Sequence, residues 1–182
     1  MAHSEQENDI TGTRLGSRIL KVNHAGEHGA VSIYAGQILL ARLTAPGLVA
    51  ELREFQSHEL RHRAIFRDEL ARRAVRRCRS YWLCAAGGYF LGALTGLLGP
   101  QAIAATTVAV ERVVLVHLHH QLSSLDGIDP AASAAIEAIV SEEALHLDSS
   151  QRRAGKDSAW LRIVTPVVAA STEIVIWLGM RL

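Results

Sequence analysis

The chain has 182 residues, enough for one domain with a sizeable core, and 49% of them are hydrophobic although only 5% are aromatic. Nineteen Lys and Arg against 18 Asp and Glu leave a net charge of +1, which argues against a nucleic-acid binder of the ordinary electrostatic kind. Cys78 and Cys84 match no zinc-knuckle spacing and are too few for a disulfide framework, so a reducing compartment is expected.

The first dozen residues, MAHSEQENDITG, are polar and acidic and do not read as a secretory or transit peptide. Residues 1–13 are expected to form a flexible tail ahead of a single domain over 14–182. From about Arg14 to Leu43 the pattern predicts one long helix, ended by TAPG at 44–47. A second, charged and amphipathic helix is expected over about Leu48 to Val75, and eight arginines fall between Arg61 and Arg79. From Ser80 to Val110 there is no charged residue. That run exceeds the length of a membrane span, but its glycines and the GP at 99–100 break it. Three readings stay open: a pair of helices buried in the protein, a short apolar helix on or in a bilayer beside the arginines, or a true span. A helix over about Gln101 to Leu122 follows. Asp129 and Pro130 then mark a start as N-cap and first helical residue, and that helix is expected to run to Ala154. AGKDS offers a terminal glycine and a fresh cap. The last helix, Ala159 to Leu182, is almost wholly apolar, with Glu173 its only acid and a kink expected at Pro166. Every element is helical, so an all-α bundle is expected.

Chemistry enters through Glu-x-x-His, which occurs twice, as Glu59–His62 and Glu143–His146. On a helix three residues turn about 300°, so the two side chains share a face and can grip one metal. Glu27, in NHAGEHGA, lies 32 residues before Glu59, and Glu111 lies 32 before Glu143. Glu, Glu-x-x-His, Glu, Glu-x-x-His on four long helices is the pattern of a di-iron carboxylate bundle. Glu111 is flanked by Ala109, Val110, Val113 and Val114, so its carboxylate is expected inside the core, where an uncompensated charge is costly. Two divalent cations among four inward carboxylates balance the charge. An oxygen-rich donor set with two imidazoles suits iron or manganese better than zinc, and iron suits open positions where dioxygen can bind. Asp148 is either a partner for His146 or exposed. Tyr34 shares the Glu27 face as packing or as a partner of the site, while His24 and His28 are expected to be structural. Glu142 faces about 100° away from Glu143 and is not counted as a ligand.

NHAGEHGAVSIYAGQ, ELRH, TVAVE and EEALHLD together resemble the demethoxyubiquinone hydroxylase family, the COQ7-type di-iron monooxygenases of ubiquinone biosynthesis, from about Ser17 onward. The resemblance implies a ferritin-like four-helix bundle with an additional apolar helix or hairpin and an apolar C-terminal helix. It places Glu27, Glu59, His62, Glu111, Glu143 and His146 at the metal positions, with Glu59 and Glu143 as bridges, and implies no catalytic residue beyond them. It implies two iron ions, O2 as co-substrate and an external reductant. The reaction would insert one oxygen atom into a ring C–H of a polyprenyl methoxy-benzoquinol, the other leaving as water. A polyprenyl quinone, a membrane surface, other ubiquinone-biosynthesis proteins and a second copy of the chain are the expected partners, at the cytoplasmic face of a membrane as a peripheral protein. Tyr81 to Leu98 and the last helix are the candidate docking surface, with the arginines against anionic headgroups. The chain departs from the family at His28, where many members have Tyr, and at Leu118, which replaces a tyrosine after His117. A ferritin-like oxidase or peroxidase and a non-catalytic membrane-associated scaffold are the alternatives.

Overall fold

The computed structural model describes residues 2–155 and 159–181, with side chains from residue 12 onward. Six α-helices follow one another: α1 (Ala2–Thr44), α2 (Val49–Arg72), α3 (Tyr81–Leu98), α4 (Pro100–Leu125), α5 (Pro130–Ala154) and α6 (Ala159–Arg181). No strand occurs among the described residues. The backbone of residues 2–13, expected as a tail, is continuous with α1.

Local chemistry sets the boundaries. Pro46 opens a 3-10 turn (Pro46–Leu48) that separates α1 from α2. Gly99, at φ 93°, takes a backbone conformation open to glycine at the α3–α4 corner, and Pro100 starts α4 with its fixed φ. Asp129 caps α5 as expected, its carboxylate accepting from Ala132 N at 3.1 Å. Helix α6 runs through Pro166 without interruption. The fresh cap expected in KDS lies outside the described residues.

Helices α1, α2, α4 and α5 form the four-helix bundle. Tyr34 against Phe55, and Glu27 near His62, make α1 and α2 antiparallel. Asn23 opposite Gln121, with Tyr34 beside Ile103, does the same for α1 and α4. Two apolar clusters fill the bundle, one around Leu20, Phe66, Leu125 and Ile136, the other around Tyr34, Leu48, Leu52 and Phe55. The polar site lies between them.

Helix α3 is the long crossover that returns the chain from α2 to α4, parallel to α1. Gly88, Gly92 and Gly96 recur every fourth residue and lie on the backbones of Gly29, Ile33 and Gln37. A Cβ on Gly92 would sit 2.7 Å from the Ile33 carbonyl carbon, so only glycine allows this approach. The uncharged run therefore divides. The first half of α4 is buried from Ala102 to Ala109, while α3 turns Trp82, Leu83, Phe90 and Leu97 to solvent, Phe90 at 71% exposure. Helix α6 packs on α4 and exposes Ile163, Val167, Ile174 and Trp177. Helices α3, α4 and α6 are each long and apolar enough to cross a membrane by length and composition.

Candidate metal centre and its cavity

Long helices bring the six candidate residues to one level of the bundle. Glu27 comes from α1, Glu59 and His62 from α2, Glu111 from α4, and Glu143 and His146 from α5. All six are buried, with His146 fully enclosed. They form two overlapping groups of four, Glu27–Glu59–His62–Glu143 and Glu59–Glu111–Glu143–His146, in each of which one donor atom per residue lies within 4.8 Å of the others. Glu59 and Glu143 belong to both groups, the positions expected of the bridges.

The donor atoms face inward. His62 Nδ1 is 2.9 Å from Glu143 Oε1 and 3.7 Å from both Glu27 Oε2 and Glu59 Oε2. His146 Nδ1 is 3.2 Å from Glu59 Oε1 and 3.6 Å from Glu143 Oε2. Ligands about 2.1 Å from one metal are themselves about 3 Å apart, so these spacings suit a shared cation. Glu59 Oε1, His62 Nδ1, Glu143 Oε2 and His146 Nδ1 are buried and close no hydrogen bond of good geometry. Buried polar atoms are normally paired, and four orphans converging on one spot fit a cation there.

Electrostatics agree. Burial, with the charges of Glu59 and Glu143, pushes the Glu27 carboxyl well above its usual range against the pull of His62. Burial, followed by Glu143 and Glu59, does the same to Glu111. Burial alone would raise Glu143 too, but His146 and His62 hold it down at about 2. Burial opposes the charging of His146, yet Glu143 and Glu59 raise it to about 9, and the carboxylates raise His62 likewise. With protein atoms alone the cluster must borrow protons to stay neutral. Divalent cations would let every carboxylate ionise and both imidazoles stay neutral.

The outer nitrogens of both imidazoles are held. His62 Nε2 lies 2.8 Å from Glu142 Oε2, which also accepts from Arg61 at 3.1 Å. His146 Nε2 lies 2.9 Å from Nδ1 of His58, whose ring stacks on it at 5.1 Å. Such partners fix ring orientation and tautomer in metal sites. Glu142 and His58 are residues that the sequence reading missed. Both lie one residue from a ligand, off the ligand face, and become partners only because the imidazoles point their outer edges sideways. Asp148, read either as a partner of His146 or as exposed, is exposed and pairs with Arg152 on the surface. Tyr34 is buried near the site, its ring 6.4 Å from His146, and its hydroxyl reaches toward Thr107 without closing a bond of good geometry. His24 and His28 pack on Tyr81 of α3, at 4.8 and 4.0 Å between ring centroids, and burial pushes the His24 pKa down to about 4.

A cavity of about 480 Å³ opens onto this cluster between the α1–α4 face and the overlying α3 and α6. Glu27, Glu59, Glu111 and Glu143 reach it at one side, and Ile33, Leu83, Leu91, Val114, Val175 and Ile176 wall it. Asn23 and Gln121 also line it, joined by two mutual hydrogen bonds of 2.8 and 3.1 Å. His117 ties α4 to α6 through Glu173 Oε2 at 2.9 Å. Leu118 is buried in the bundle core and also borders the cavity, so no phenol hydroxyl stands there. His119 and His120 are exposed.

A family model described as "Ubiquinone biosynthesis protein COQ7" matches residues 14–179. The 3-demethoxyubiquinol 3-hydroxylase of Rhodospirillum rubrum is 32% identical over 174 residues, spanning 95% of this chain and 81% of its own. The NADPH-dependent 3-demethoxyubiquinone 3-hydroxylase of Dictyostelium discoideum is 30% identical over 181 residues, covering 98% and 82%. The human mitochondrial protein of the same printed name is 30% identical over 169 residues, covering 91% and 77%. Matched along nearly its whole length, the chain belongs to the COQ7 family of ubiquinone-biosynthesis proteins.

Proposed function

We propose that this chain is a di-iron hydroxylase of a demethoxyubiquinol-type polyprenyl benzoquinol, with residues 14–182 as its single domain. The observation that carries the reading is the pair of interlocked Glu/His groups sharing Glu59 and Glu143 on the floor of an apolar cavity. Glu27, Glu59 and His62 with Glu143 would hold one iron, and Glu59, Glu111 and His146 with Glu143 the other. The bound pair would supply the activation of O2, one atom going to the ring carbon and one leaving as water, with two electrons and two protons consumed.

The remaining chemistry belongs to the chain. The walls of the cavity exclude water and fit a ring with a prenyl tail. The Asn23–Gln121 amide pair, one helical turn from Glu27, retains a spare N–H and a spare carbonyl acceptor on each amide, and these orient the oxygens of the ring. Glu142 and His58 keep His62 and His146 aimed inward. The exposed faces of α3 and α6 flank the cavity, and we assign them to a membrane surface at its cytoplasmic side, where a polyprenyl tail resides. Arg77 over Trp82 and Arg181 over Trp177 suit the headgroup level. The same faces would carry a homo-oligomer or contacts with other ubiquinone-biosynthesis proteins. A peroxidase or ferroxidase would have no use for an apolar cavity of this size.

The test is turnover of a short-tailed demethoxyubiquinol by iron-loaded protein under ¹⁸O2. One labelled oxygen in the ring per turnover is expected, and Gln121→Leu should raise KM several-fold with iron content unchanged. Oxygen consumption without ring labelling would favour the oxidase reading instead.

A further inference from the structure

Fourteen glycines stand in the chain, and packing or backbone geometry accounts for all but two of them. Eight would bring a Cβ within 3.4 Å of a neighbouring residue, as Gly88, Gly92 and Gly96 would against α1. Gly99, Gly127 and Gly155 hold positive φ just past helix ends, and Gly47 lies in the turn between α1 and α2. Gly26 and Gly87 have neither reason. Both lie inside helices, without positive φ, and a Cβ on either would meet nothing within 4 Å. Glycine weakens a helix interior relative to alanine, so open space is kept at these two positions at the expense of stability.

The space beyond both is the cavity over the Glu/His cluster, which Gly26 and Gly87 line. They also stand at nearly one height. Gly88 rests on Gly29, Gly92 on Ile33 and Gly96 on Gln37, 59 positions apart in each pair, so Gly26 on α1 is level with residue 85 on α3. Gly87 is two residues further, or about 3 Å along the axis. On α1, Gly26 follows Asn23 by three positions and directly precedes Glu27, which puts it between the Asn23–Gln121 amides and the carboxylates. On α3, Leu83 and Leu91 line the cavity one turn to either side of Gly87, which forms a notch in an apolar stripe. Glu59 Oε1 and Glu143 Oε2, buried at the cavity's floor without a hydrogen bond of good geometry, mark the end where a ligand reacts.

We infer that Gly26 and Gly87 keep open the pocket that takes the methoxy group of the quinol ring, and so select the ring that can react. The inference rests on the hydroxylase reading and adds to it the residues that set ring specificity. Every substituent of a benzoquinol lies next to a ring oxygen. A ring oxygen held at the Asn23–Gln121 pair, with a C–H turned toward the carboxylates, sets the substituent between them over Gly26. The order oxygen, methoxy, C–H around the ring then matches the order Asn23, Gly26, Glu27 along α1. A methoxy group needs space and no charged partner, and the side chains of Ile33, Leu83 and Leu91 around the notch supply an apolar wall.

The experiment compares the iron-loaded full-length protein with Gly26→Ala, Gly26→Val and Gly87→Ala. Gly47→Ala is the control, since a Cβ there also meets nothing within 4 Å but Gly47 does not line the cavity. The probes are a methoxy-benzoquinone with a two-isoprene tail and its analogue carrying hydrogen in place of the methoxy, each titrated by calorimetry in detergent. One methylene too many in a hydrophobic pocket changes recognition by about 10- to 200-fold. The Kd of the methoxy quinone should therefore rise by about tenfold or more in Gly26→Val and severalfold in both cavity alanine variants. The methoxy-free analogue should bind all four variants and the wild type alike, and Gly47→Ala should leave both quinones unaffected. Urea midpoints of Gly26→Ala and Gly87→Ala should rise while affinity falls, which separates the effect from a loss of folding. Unaltered methoxy-quinone affinity in Gly26→Val, or an equal loss for both quinones, overturns the inference and leaves the hydroxylase reading standing. Binding of neither quinone by folded wild type overturns both.

Discussion

Gly92→Ala places a methyl group where α3 meets α1, and the structure sets the size of the effect. The new Cβ would fall 2.7 and 2.8 Å from the carbonyl carbon and Cα of Ile33, and both obstacles are backbone, which cannot swing away as a side chain could. Insertion into such a contact destabilises by about 1–3 kcal/mol, and the backbone nature of the clash argues for the upper end. Alanine for glycine in a helix returns about 1 kcal/mol through propensity, leaving a net loss of up to about 2 kcal/mol. Gly87→Ala on the same helix meets nothing within 4 Å, so it should keep the propensity gain and stabilise by up to about 1 kcal/mol. The difference between the two variants isolates the clash. Urea unfolding in one detergent, followed by helix signal, measures both. Equal stabilisation of the two variants would refute the seam between α1 and α3.

Two further outcomes follow from polar contacts. Arg73 joins Asp129 through 2.6 and 2.8 Å contacts and Glu69 through one of 2.7 Å, tying the end of α2 to the start of α5, so Arg73→Ala should cost about 3 kcal/mol or more at neutral pH. Arg73 depresses the pKa of Asp129, and at Glu69 it overcomes burial with the help of Arg72. Depressed carboxylates contribute stability above their unfolded pKa of about 4 and lose it as pH falls through the folded value, so the gap between wild type and variant should narrow in acid, as read by urea midpoints from pH 7 to pH 3. Glu142→Ala removes the partner of His62 Nε2 and should weaken iron binding about 10- to 100-fold by chelator competition, whereas Asp148→Ala should leave it unchanged.

The convergence of the six Glu and His side chains was legible because its signal is local in sequence and periodic. Two Glu-x-x-His pairs and two glutamates at equal offsets need only helices to bring them together, and helices follow from composition and caps such as Asp129–Pro130. The fate of the uncharged run was less legible. Hydropathy says that residues avoid water but not whether protein or lipid replaces it, and here α4 takes the first course and α3 leaves half its surface open. The glycines of α3, read as breakers of a straight span, form a packing seam because their spacing of four matches the residues of α1 beneath. Glu142 and His58 were hidden for a different reason. Their role depends on imidazole rotamers across the α2–α5 contact, and wheel angles on one helix cannot express it.

The central claim is tested most directly by iron bound per chain after anaerobic reconstitution, in wild type and in Glu111→Ala. The account predicts about two irons for the wild type, from the two groups that share Glu59 and Glu143. For Glu111→Ala it predicts loss of iron from the group containing Glu111 and His146, with helix content kept. No iron uptake by folded wild type, or two irons retained by the variant, would contradict it.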